Sequence, residues 1–295
     1  MDFRFLEETD SWRQLVADVQ AGQRVIRLAG LVNGAKALIL ARLQQATGRR
    51  LAIVTRRNKD LETLEPDLKF FHALVNQTES GDAAVFSLPG AELDPYSGAS
   101  PHAELLEERA LALWRLAEGH GDLVLLTARS LLQRIIPPDD VRQSVVRIKV
   151  GDELPLGELI DHLVAIGYVR SDPVGSVGEF SLRGGILDVF PPTAGTAAAG
   201  GSGGGESRPI RLEFFGDEID SIREFDPDTQ RSTAEMPETL ITPMRDERVG
   251  EPPCANGQRR RVSIGVTIVT TAPCVTGPCW LMREKSFPGG SICCH

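Results

Sequence analysis

The chain has 295 residues, 41% hydrophobic and 25% charged, with a net charge of −9, a composition that excludes disordered, collagen-like and coiled-coil classes. It holds no apolar run of the roughly 18 residues needed to cross a bilayer, and its start, MDFRFLEETDSWRQL, lacks a basic segment followed by an apolar one. The sequence therefore predicts a cytoplasmic protein with neither a membrane span nor a signal peptide.

In chain order, residues 1–143 alternate short β-rich runs with amphipathic helices. RVIRLAG (24–30), LAIVT (51–55), AAVFSLP (83–89) and DLVLLT (122–127) suit buried strands bounded by turns. AKALILARLQQATG (35–48) and AELLEERALALWRLAEG (103–119) carry apolar residues at helical spacing and end at glycine. Strand, helix and strand in this order predict an α/β domain, a parallel sheet with flanking helices.

A second, inserted α+β domain is expected over 144–235. VVRIKVGDEL (145–154) leads into a helix, LGELIDHLVAIG (156–167), and then YVRSDPV, GEFSLRGGILDVF and PIRLEFFGDEIDSIREFD read as strands joined by turns. AGTAAAGGSGGGES (194–207) has no side chains able to form a core and reads as a flexible loop within this domain. Residues 236–250, containing PETLITPMRDERV, are expected to begin a return to the first domain. From 251 the pattern breaks down. All five cysteines (Cys254, Cys274, Cys279, Cys293, Cys294) fall in this tail, which has net charge +3 and leaves −12 for residues 1–250. The tail is expected to be non-native or disordered, in the manner of out-of-frame translation. Its one β-rich stretch, VSIGVTIVTT, is expected to lack neighbours to pair with.

The loop GLVNGAKA (30–37) follows a strand and opens a helix, where backbone N–H groups and the helix N-terminus face an anion. A working phosphate loop, G-x-x-x-x-G-K-[ST], needs glycine at 35 and a hydroxyl at 37. Gly30, Gly34 and Lys36 are present, whereas Ala35 crowds the phosphate and Ala37 offers no Mg²⁺ ligand. The loop is expected to have lost nucleotide hydrolysis, so no catalytic residue and no cofactor are assigned.

Glu107 with Glu108, and Asp139 with Asp140, are neighbours that do not face each other on a helix and are expected on solvated faces. His72, in the sequence FFH, is expected in a packed helix. His102, His120 and His162 lie in unrelated segments, and the cysteines depart from zinc spacing, so no metal is expected. In GEFSLRGGILDVF, Gly184 and Gly185 suggest a bulge or tight bend that turns Arg183 outward, with Ile186, Leu187 and Val189 on the buried side. Arg170, in YVRSD, begins another polar-facing strand. Two arginines shown from one small sheet make a candidate partner-binding patch.

GEFSLRGGILDVFPP and PIRLEFFGDEIDSIREFDPDTQRS resemble the domain shared by UvrB damage-recognition proteins and bacterial transcription-repair coupling factors. GLVNGAKALILARL, LDPYSGASPHAELLEERALAL and TARSLLQRIIPP extend the resemblance over about residues 10–249. UvrB proteins carry an intact ATP site at the loop matching 30–37 and an aromatic-rich hairpin near 95. Here the loop is degenerate and Tyr96 is the only aromatic in LDPYSGASPH, so the coupling factors are the nearer match.

That resemblance implies a UvrB-like first domain with a degenerate phosphate loop and an inserted domain that binds UvrA. Arg170 and Arg183 match UvrA-contacting arginines of UvrB, while a third arginine of that set falls on Ser181. It also implies that ATP- and Mg-dependent translocation on DNA, and the RNA polymerase contact, belong to domains absent from this stretch. The expected role is thus an adaptor that recruits UvrA to stalled polymerase, a surface that the full protein can also mask. The alternative is a UvrB-type ATP-dependent damage-recognition protein.

Overall fold

The computed structural model describes residues 4–23, 25–90, 103–133, 135–192 and 207–245, with the strand backbones of 266–274 and 277–285. Its contacts divide the chain into two compact units. One comprises 1–91, 120–133 and 258–295, and the other 92–119 and 134–257.

The first unit opens with α1 (Arg4–Glu7) and α2 (Asp10–Gln20), the latter capped by Thr9, whose hydroxyl accepts from the Trp12 N–H. Then come β1 (Ile26–Ala29), α3 (Asn33–Thr47), β2 (Leu51–Thr55), α4 (Asn58–Asn76) and β3 (Val85–Leu88). α3 stops at Gly48, whose left-handed φ of 63° lets its N–H reach the Gln44 carbonyl. After the stretch assigned to the other unit, β4 (Leu123–Thr127) completes the sheet drawn from the main body. All four strands predicted from the sequence form, and β2, β3 and β4 are parallel neighbours. Every residue of these three strands is buried, which is why they read as continuous apolar runs rather than alternating ones. Leu40, Leu43, Ile53, Leu68 and Leu125 meet in the core between sheet and helices.

The order of this sheet is β1-β14-β13-β2-β4-β3, with β13 (Val266–Cys274) and β14 (Gly277–Lys285) contributed by the tail. Here the structure departs from expectation. The stretch expected to lack neighbours lies between two: Val269 is paired with Ile53 of β2 and with Met282 of β14. β14 in turn runs antiparallel to β1. The reason is that, apart from the hairpin, β1 has no strand partner and β2 has only β4, so each offers an open row of backbone N–H and C=O groups that a β-rich hairpin inserted between them can pair.

The second unit contains α5 (Ala103–Ala117), α6 (Pro138–Gln143), β5 (Val146–Lys149), α7 (Leu156–Ala165), β6 (Val169–Arg170), β7 (Glu179–Arg183), β8 (Ile186–Val189), β9 (Ile210–Phe215), β10 (Glu218–Phe225), β11 (Ser232–Glu235) and β12 (Glu238–Ile241). The six strands β6 to β11 form one sheet in sequence order. β8 and β9 are antiparallel partners, and most of the segment joining them, including nearly all of the predicted 194–207 loop, lies outside the described residues. LDPYSGASPH likewise lies outside them. α5 groups with this unit and joins α6, where the Arg142 guanidinium donates to the Ala117 carbonyl.

β12 does not return to the first sheet. It pairs antiparallel with β5 in a separate two-stranded sheet. Its buried Leu240 and Ile241 explain the choice, because Ile241 joins Ile148 of β5 and Leu159 and Leu163 of α7 in the second core. Within the large sheet, Phe180, Leu187, Val189, Ile210, Leu212 and Ile222 face that same core.

Candidate partner-binding surface

Gly184 and Gly185 form a two-residue turn that pairs Arg183 with Ile186 across β7 and β8. Gly184 sits at φ 63°, a left-handed conformation that glycine adopts without penalty, and a Cβ at Gly185 would come within 2.9 Å of the Phe214 carbonyl oxygen. The expected tight bend is therefore present. The expected burial of Ile186 is not. Leu187 and Val189 are fully buried, but Ile186 is 38% exposed, because alternation puts it on the face of Arg183.

Arg170 and Arg183 come together at the edge of this sheet. β6 runs parallel to β7 with Arg170 opposite Phe180, and both arginines are exposed. Between them lies Asp172, which the sequence reading passed over. Arg183 donates to the Asp172 carboxylate, both side chains remaining at least half exposed. The hydrogen bond from Arg183, reinforced by its charge and by that of Arg170, holds the Asp172 carboxyl below the usual carboxylate range. The same bond raises Arg183 above the ordinary guanidinium value. Asp172 lies past the end of β6, in the bend before Pro173, so strand alternation provides no signal for it in the sequence.

Ser181 is 2% exposed and paired with Asp188. Asp188 is itself buried and accepts a bidentate pair from Arg211, at 2.7 and 2.9 Å. The Arg211 guanidinium also lies 4.9 Å from the centre of the Phe225 ring. Position 181 is thus beneath the surface, beside an ion pair internal to the sheet.

At the candidate phosphate loop, Gly30 has φ 79° and Val32 precedes α3 without a side-chain cap. Asn33, Gly34, Ala35 and Lys36 are already helical, and the Lys36 N–H donates to the Val32 carbonyl at 2.9 Å. The Lys36 ammonium bonds Asn33 Oδ1 at 3.2 Å, and partial burial lowers its pKa. Ala37 has no exposed surface and belongs to the first core.

The remaining candidates disperse. His72 is buried on α4, as its sequence context predicts, with Nε2 3.1 Å from Asp122 Oδ2. Glu108, Asp139 and Asp140 are exposed, but Glu107 is partly buried, and desolvation followed by the charges of Glu104 and Glu108 raises its pKa. Among the described residues no group of three or more His, Cys, Asp or Glu side chains could hold a metal ion. No described helix is long and apolar enough to cross a membrane.

Residues 146–246 match the family described as the UvrB interaction domain, a span that begins at β5 and extends past β12. A transcription-repair-coupling factor of Myxococcus xanthus is 37% identical over 234 residues, 79% of this chain and 18% of the relative. That of Haemophilus influenzae is 32% identical over 219 residues, 74% of this chain and 17% of the relative. That of Bacillus subtilis is 30% identical over 243 residues, 82% of this chain and 19% of the relative. The chain thus spans less than a fifth of the length of these relatives. The matched span runs from β5 through the six-stranded second sheet to beyond β12, and the similarity reaches well beyond it: the chain contains a region that matches the UvrB interaction domain and is homologous, over about four-fifths of its length, to transcription-repair-coupling factors.

Proposed function

We propose that this chain acts in transcription-repair coupling as a docking module that binds UvrA, through the edge of the second sheet where Arg170 and Arg183 stand. The observation that carries the reading is the exposed placement of both arginines around Asp172, on a domain of the UvrB interaction family. Arginine presents a planar, always-charged donor array suited to carboxylates on a partner. ATP-driven movement on DNA and contact with RNA polymerase are assigned to other parts of the longer relatives.

The first unit is proposed to have no ATPase activity of its own. Its candidate loop is supported as degenerate by Ala35 and Ala37, by the winding of residues 33–36 into α3, and by the burial of Ala37 where a hydroxyl ligand to Mg²⁺ is required. A titration of the full chain with Mg-ATP is expected to give no saturable binding. Tight binding abolished by Lys36→Ala would overturn this part of the reading.

The docking reading is tested by calorimetric titration of purified UvrA with the full chain. Binding is expected, and the double variant Arg170→Ala/Arg183→Ala is expected to weaken it at least tenfold, as truncation of interface arginines does. Both side chains are exposed, so the variant should retain the wild-type melting temperature. Unchanged affinity would remove these residues from the site.

A further inference from the structure

The end of the second sheet that displays Arg183 also displays an aromatic side chain that the fold leaves uncovered. β9 alternates strictly: Ile210 and Leu212 enter the core and Phe214 packs against it, whereas Arg211, Glu213 and Phe215 point to the opposite face. Phe215 is 81% exposed, more than any other large apolar side chain among the described residues.

The register explains the exposure. Ile186 stands opposite Glu213, and the Phe214 N–H donates to the Gly185 carbonyl, so the next position along, Phe215, runs beside the Gly184–Gly185 turn. Two glycines offer no side chain to cover the ring, and the space a Cβ of Gly184 would enter is empty within 4 Å. On the other side, Phe215 begins the two-residue turn to Glu218 at Gly216 and Asp217. Arg183, paired with Ile186, shares this face. Glu213 is tied to β10 through Ser221, at 2.9 Å, and Arg223, at 3.2 Å, so its charge is already matched. What remains toward solvent at this corner is the half-exposed Arg183 guanidinium with its Asp172 partner, the partly exposed Ile186 and a bare phenyl ring.

We infer that Phe215 is the apolar anchor of the docking surface, inserting into a hydrophobic pocket of the same protein partner whose carboxylates engage Arg170 and Arg183. The inference rests on the docking role proposed above. An aromatic ring and an arginine beside a small apolar floor is the composition of an interface hot spot. The ring carries an advantage over a flexible aliphatic side chain, since it loses little conformational freedom on insertion. The Gly-Gly turn, by keeping neighbouring side chains away, leaves room for the walls of a partner's pocket to close around it.

The test is titration of purified UvrA with the full chain and four variants: Phe215→Ala, Phe215→Leu, Phe70→Ala and Arg170→Ala/Arg183→Ala. Phe70 is an exposed aromatic of α4 in the first unit, 60% accessible, and controls for general loss of apolar surface. Phe215→Ala is expected to weaken binding at least tenfold with an unchanged melting temperature, Phe215→Leu to recover part of the loss, and Phe70→Ala to change nothing. If the arginine variant weakens binding while Phe215→Ala does not, the anchor is overturned and the docking role stands. If neither weakens it, both are overturned. Equal losses from Phe70→Ala and Phe215→Ala also overturn the anchor, as does a wild-type dimer that Phe215→Ala dissociates while UvrA affinity stays constant.

Discussion

Arginines in the second sheet divide by burial into two kinds, and the division governs what each can do. Arg211 and Asp188, with side chains 17% and 5% exposed, form a bidentate pair inside the fold. Removing one partner leaves the other charge stranded, so Arg211→Ala is expected to lower the stability of the second unit by about 3–5 kcal/mol, measured by urea unfolding. Arg183→Ala, at a site open to water, should leave the urea midpoint near wild type. Glu107 illustrates the reverse effect of burial on a single group. Its raised pKa means that the folded chain holds the proton more tightly than the unfolded chain does. Its contribution therefore favours folding at acid pH and is lost as pH rises through the raised value. Glu107→Gln should remove that loss, and the stability difference between variant and wild type should grow in the variant's favour between pH 4 and pH 7. Asp172 has the opposite sign: its lowered pKa gives a contribution present above the ordinary carboxylate range and lost as pH falls through the lowered value.

At the scale of elements, the tail hairpin decides the edges of the first sheet. β13 is flanked by β2 and β14, and β14 by β1, so the pair bridges two strands of the main body that do not touch. Truncation after residue 257 is expected to free the facing backbone groups of Ile26–Ala29 and Leu51–Val54. Amide exchange in those two strands should accelerate, while β3 and β4, paired parallel to each other away from the hairpin, should keep more of their protection. Equal exchange in the full and shortened chains would mean the hairpin contributes no pairing. β12 makes a related point. The sequence pattern of 238–241 identifies a short strand but says nothing of its partner, and Leu240 and Ile241 could have been buried by either core. Its antiparallel ladder with β5 places them in the second.

For the molecule as a whole, charge limits the range of partners. A chain with net charge −9 has few phosphates it can neutralise, and counterion release is the main source of non-specific affinity for DNA. At about 150 mM salt the full chain is therefore expected not to retard a labelled duplex in a gel-shift assay. A clear shift would argue for a local cationic surface that acts independently of net charge. The four strands of the first sheet's main body, α3, α5 and α7, and the alternating strands of the second sheet were all legible in the sequence. Local periodicity and turn residues fix such elements before any long-range contact forms. So was the outward turn of Arg183, because it depends on a few adjacent residues. The exposure of Ile186, the place of Asp172 between two arginines and the bare ring of Phe215 depend instead on which strand lies opposite which residue. Register and strand order join residues far apart in the chain, and only the folded backbone decides them.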